Sequence, residues 1–165
     1  MAIAGSALLL KLFDKVILLV WGHHLSSDAL QFGYKSGTST TQCSRMVQEV
    51  AQFFQRRGTP CMVTLLDCSK AFDMVKFSIL FEKLLSAGLP AIIVRVLVFV
   101  YQEQYAWIKW GNARSQQFRV VNGTRQGSVL SPALFSLYMN ELLVKVRNLG
   151  ILGEFSLVLH YMLMT

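Results

Sequence analysis

The chain has 165 residues, is 53% hydrophobic and carries a formal net charge of +7, from 16 Lys and Arg against 9 Asp and Glu. That suits one domain, or a piece of a larger one, with ample material for a core, and it excludes a disordered or low-complexity protein. The excess of cations favours a polyanionic partner such as nucleic acid over a merely basic surface.

The three cysteines, Cys43, Cys61 and Cys68, make no CxxC pair and no Cys/His metal spacing. Their odd number argues against a disulfide framework and for a reducing, intracellular compartment, nucleus or cytoplasm. The opening stretch, MAIAGSALLLKLFDKVILLVWG, is apolar enough to suggest a signal peptide or membrane anchor. It lacks a basic leading region, however, and Lys11, Asp14 and Lys15 sit in its middle. Each such charge costs roughly 2.5–3.5 kcal/mol near a bilayer centre. The expectation is a buried amphipathic helix over Ser6–Val20, with no membrane partner.

A polar loop follows from His23 to Ser39, and Thr38, Ser39 and Thr40 offer N-caps for a second helix. Met46, Val47, Val50, Phe53 and Phe54 keep helical spacing, and Gly58 and Pro60 stop it. Cys61 to Leu66 is short, apolar and bounded, so a buried strand is expected there. It runs straight into Asp67. A carboxylate at the mouth of a buried strand needs protonation, a partner or a metal. Asp73, six residues on, stands near the start of the next helix, where it can act as a cap.

That helix is expected over Val75–Ala87, ended by Gly88, and Pro90 opens another to about Gln102. Strands are expected over Tyr105–Trp110 and Gln117–Val121, with Gly111-Asn112 at the turn and a basic loop at Arg114. Asn122 to Ser128 is a turn-rich loop in which Gly123 and Gly127 allow close approach of a ligand, with Arg125 and Gln126 between them. Ser131-Pro132 reads as an N-cap and first position of a final helix, with Lys145 and Arg147 in its last turn and Gly150 beyond.

Two stretches together change the weight: DCSKAFDMV at Asp67–Val75 and GTRQGSVLSPALF at Gly123–Phe135. They resemble the first and second catalytic motifs of non-LTR (LINE-type) retrotransposon reverse transcriptases, in order and spacing. LQFGYKSGTST resembles the family's fingers motif, LLLKLFDKVIL the segment before it, and IKWGN a W-N-G turn with Gly and Asn exchanged. The resemblance covers nearly the whole chain. It implies an α+β fold, a reverse-transcriptase-like palm of antiparallel sheet backed by helices with partial fingers. The fingers would run to about residue 59 and the palm over about 60–165.

It also implies roles. Asp67 would be catalytic and bind metal, and Phe72 would be the gate that rejects a ribose 2′-hydroxyl. Gln126 and Gly127, beside Arg125, would meet the incoming nucleotide and template, and Lys35 would position phosphates. The implied cofactor is Mg2+ and the implied partners are RNA template, DNA primer and dNTP. Phosphoryl transfer asks mainly for positioning and charge neutralisation, with two Mg2+ about 3.5–4 Å apart clamping the attacking and leaving oxygens.

The chain departs from that pattern at the third motif, a Y/F-A-D-D hairpin. After Pro132 the only acids are Glu141 and Glu154, so the chain is expected to be inactive. Read two bases on from the start of the His160 codon, H-Y-M-L-M-T permits Leu-Tyr-Ala-Asp-Asp, with only the Leu and the final Asp forced. The expectation is a frame change that erased the motif. At the other end Met1 stands where the family's segment has arginine. The leading expectation is thus a fragment of an RNA-directed DNA polymerase. Its alternatives are a non-catalytic nucleic-acid-binding remnant and an unrelated membrane-associated helical protein.

Overall fold

A computed structural model describes residues 8–28, 31–35, 37–63, 69–125 and 127–148. The fold is a mixture of helices and small antiparallel sheets. The chain forms two compact units. One comprises residues 1–25 with 70–138, the other residues 26–69 with 139–165.

The first unit opens with helix α1, Leu8–Trp21, continued by a 3-10 turn over Gly22–Leu25. The expected buried amphipathic helix is corrected here. Leu8, Leu9, Leu12 and Leu19 are all exposed, and only Asp14 and Ile17 are buried. A helix apolar nearly all round has little to choose its inward face by hydropathy, and α1 turns Asp14 and Ile17 inward.

Helices α3, Phe77–Ser86, and α4, Ala91–Gln102, pack on each other. Leu80, Leu84, Val94, Leu97 and Tyr101 are fully or almost fully buried. Phe77 and Phe81 both meet the Tyr101 ring edge-on, at 5.4 and 5.9 Å between centroids, the arrangement aromatic quadrupoles favour. Gly88, at φ +85°, closes α3. Its amide donates to Leu85 O and that of Leu89 to Leu84 O, a Schellman ending sealed by Leu84 and Leu89. Asp73 is not the cap of α3, because that position falls to Lys76, which makes no side-chain cap bond.

Four two-residue strands follow: β1 Tyr105–Ala106, β2 Lys109–Trp110, β3 Ala113–Arg114 and β4 Phe118–Arg119. β1 pairs with β4 and β2 with β3, both antiparallel, so the expected strand Tyr105–Trp110 is split in two, Gln117–Val121 shortens to β4, and β3 forms in the expected basic loop at Arg114. Helix α5, Ser131–Asn148, begins in this unit and ends in the second.

In the second unit, α2, Thr40–Arg56, starts with a capping box. Ser39 Oγ accepts from Gln42 N at 3.2 Å and Gln42 Oε1 from Ser39 N at 2.9 Å. Gly58, at φ +66°, ends it with the same pair of bonds, Gly58 N to Gln55 O and Thr59 N to Phe54 O. The Asp28 amide donates to Asn140 Oδ1 of α5 at 2.7 Å. The strand expected over Cys61–Leu66 is not formed in its described part. Residues 61–63 are irregular and Met62 is 86% exposed. A strand needs a hydrogen-bonding neighbour, and every described ladder is internal to residues 105–119. Thr64–Cys68, Gly150 and the tail that carries the frame-change reading lie outside the described residues.

No helix among the described residues is long and apolar enough to cross a membrane.

Candidate functional site

The site grows from the loop between β4 and α5. Gly123 adopts φ +91°, and a Cβ there would sit 3.0 Å from Asp73 Cα and 3.1 Å from the Phe72 carbonyl oxygen. Only glycine permits that approach. The approach is used, since Gly123 N donates to Val75 O at 2.8 Å and Thr124 N to Phe72 O at 2.9 Å. Two segments about fifty residues apart are thereby zipped backbone to backbone. The Phe72 ring also lies against Phe135 of α5, 4.6 Å between centroids.

The next residue anchors the loop from below. Arg125 Nη2 donates to Asp14 Oδ1 at 2.8 Å, with only 8% and 1% of the two side chains exposed. Ser128 Oγ donates to the other carboxylate oxygen at 2.6 Å. That hydroxyl also accepts from the amides of Leu130 and Ser131 at 3.1 and 3.3 Å. Ser128, rather than Ser131, therefore supplies the side-chain oxygen at the start of α5. Ser131 Oγ instead donates to Arg125 O at 2.8 Å. The Arg125 guanidinium lies over the Tyr101 ring, 5.7 Å from its centroid. Burial pushes the Tyr101 phenol above its ordinary pKa, and the Arg125 charge partly opposes the shift.

The sequence of residues 2–162 matches the family profile described as reverse transcriptase (RNA-dependent DNA polymerase). The chain belongs to the reverse transcriptase family. Among curated relatives it is 24% identical over 86% of its length to a Pol polyprotein of the type-2 retrotransposable element R2DM of Drosophila melanogaster, covering 13% of that protein. It is 23% identical over 87% of its length to an R2 polyprotein of Nasonia vitripennis, covering 14%. It is 29% identical over 68% of its length to a probable RNA-directed DNA polymerase from the X-element of Drosophila melanogaster, covering 12%. The chain thus spans about one seventh of the length of these relatives or less.

Of the residues singled out in this reverse transcriptase sequence, the structure brings Phe72, Arg125 and Gly127 into one unit. Phe72 is half-buried, Arg125 is enclosed by its ion pair, and Gly127, at φ +79°, is exposed. Asp67 and Gln126 lie outside the described residues. Lys35 belongs to the other unit, where its Nζ donates to Ser27 O and Asp28 O at 3.5 and 3.4 Å. Asp14 was missed by the sequence reading. Its signal was present as the lone acid in an apolar helix, but sequence spacing does not pair it with an arginine 111 positions away.

The expected metal-binding Asp67 is not among the described residues. Among the described residues no three His, Cys, Asp or Glu side chains gather as metal ligands. Asp14 is committed to Arg125 and Ser128, and Glu141 pairs with Lys145 one turn along α5.

Proposed function

We propose that this chain is a reverse-transcriptase palm with part of the fingers that engages RNA and DNA but does not itself extend a primer. The observation that carries the reading is the zipper between the Phe72–Val75 segment and the Gly123–Thr124 loop, two motifs held as one surface. In this reading Asp67 is the single carboxylate left at the catalytic position, and Phe72, Gln126 and Gly127 form the nucleotide-facing cleft. Residues to about 59 are the fingers portion, the remainder is palm, and Lys35 would meet phosphate only by leaving the Ser27 and Asp28 carbonyls it faces. Arg125 acts from beneath, by fixing the loop that bears Gln126. One carboxylate cannot hold two divalent ions against a triphosphate. What persists is charge-driven binding to primer–template.

The test is binding of the purified chain to an RNA–DNA duplex across a salt series. Several neutralised phosphates imply a steep fall in affinity between about 50 and 200 mM salt. Salt-independent binding, or none at low salt, contradicts the reading.

A further inference from the structure

Between Glu103 and Glu141 the sequence contains no acid, while Lys109, Arg114, Arg119 and Arg125 all fall in that interval. Arg125 is spent on Asp14, and Arg119 Nε donates to Gln102 O at 2.8 Å. Lys109 and Arg114 are different. They are direct cross-strand partners on β2 and β3 and both are exposed. Like charges directly opposite on a ladder repel, and no carboxylate is on this hairpin to offset them.

The Arg114 guanidinium lies 5.8 Å from the Trp107 ring centroid, which places the indole beside the cation pair. Trp107 is 53% exposed. The face therefore presents an indole flanked by two cations with no carboxylate partner among the described residues, held by a bond from Ser115 N to Ile108 O at 2.9 Å and by a two-residue turn with Gly111 at φ +57°.

We infer that this hairpin face, Trp107 with Lys109 and Arg114, is a binding surface for single-stranded nucleic acid. A base stacks on the indole and two successive phosphates neutralise the cation pair. The inference rests on the nucleic-acid reading above and adds a location and a strand preference to it. An aromatic platform beside tracking cations suits a single strand, whose bases are free to stack, better than a duplex, whose bases are occupied. An acidic peptide offers the charge but no planar ring, so the indole would go unused.

The experiment measures anisotropy of a labelled single-stranded oligonucleotide and, separately, of an RNA–DNA duplex. The proteins are the chain as given, Trp107→Ala, Trp107→Phe and the double variant Lys109→Ser/Arg114→Ser, with circular dichroism to show that each is folded. Trp107→Ala should weaken single-strand binding about tenfold, and Trp107→Phe should restore most of it. The double variant should lower the single-strand salt slope by about 1.4, two phosphates at about 0.7 each. Duplex binding should change little in all of them. Single-strand affinity unaltered by these substitutions, with duplex binding intact and salt-sensitive, overturns the hairpin site and leaves the general reading standing. Equal losses on duplex, or equal competition by polyglutamate, also overturn it. No binding to either nucleic acid by the unsubstituted chain overturns both.

Discussion

Asp14 and Arg125 are the pair on which the loop geometry depends. Both are almost fully withdrawn from water, and a buried charge stripped of its partner destabilises by about 3–5 kcal/mol. Asp14→Ala should therefore lower unfolding stability in urea by roughly that amount. Asp14→Leu combined with Arg125→Met should recover most of it, because a buried pair replaced by apolar residues of similar size is often neutral. Additive losses in that double-mutant cycle would show that the pair does not act as a unit. Gly123 makes a second local demand. A side chain there meets both a positive φ and the backbone of Asp73, so Gly123→Ala should destabilise by more than about 1 kcal/mol. The sequence suggested that Gly123 admits a ligand, whereas the structure gives that room to the chain's own backbone; the glycine's conformational freedom alone was legible, in the residue type itself. The acceptor of that approach, the backbone of Phe72 to Val75, was not, since nothing in the sequence encodes which carbonyl will face it.

At the level of elements, helix ends were legible because their chemistry is local. Ser39, with Gln42 three residues on, specifies the start of α2, and Gly58 and Gly88 specify two endings. Ser39→Ala should cost about 1 kcal/mol, read by thermal or urea unfolding. Strands were harder, because a strand needs a partner. The apolar run at Cys61 is irregular where it is described, while residues 105–119 form ladders with their own return segment. The exchange of Gly and Asn in the turn between β2 and β3 has a local meaning. It places glycine at the first central position, where φ is positive, as a type II′ turn requires. Helix α4 carries a pH signature through Tyr101. Its folded pKa is raised by burial above the ordinary value of 10.0. A raised pKa means that the folded state holds the proton more tightly. The contribution is therefore fully present below about pH 10 and is lost as pH rises through the folded value. Stability followed by urea titration should fall above about pH 10, and Tyr101→Phe should blunt that fall. An identical alkaline decline in the two proteins would contradict it.

For the whole molecule, the family and the mixed helical and antiparallel architecture were legible in the motifs. The grouping of α1 with residues 70–138 was not. Its polar links are the Asp14–Arg125 ion pair, the Ser128 hydroxyl on Asp14 and the His24 ring on Ala87 O, none of which sequence spacing announces. The outer surface of α1 is apolar, with Leu8, Leu9 and Leu19 about four-fifths exposed. Such a surface should make the isolated chain bind a hydrophobic dye and self-associate at low salt, as light scattering would show. The catalytic question is separate and turns on carboxylates. Asp67 and Glu154 lie outside the described residues, and the acids described are scattered or already paired. Each 1.36 kcal/mol of lost transition-state stabilisation is a tenfold loss in rate, and the proposed single carboxylate at the catalytic position implies the loss of several such steps. The most direct measurement is primer extension by the purified chain on an RNA template, with Mg2+ or Mn2+, run beside Asp67→Ala. The expected result is retained primer–template binding with no template-dependent synthesis in either protein, and extension that Asp67→Ala abolishes would contradict it.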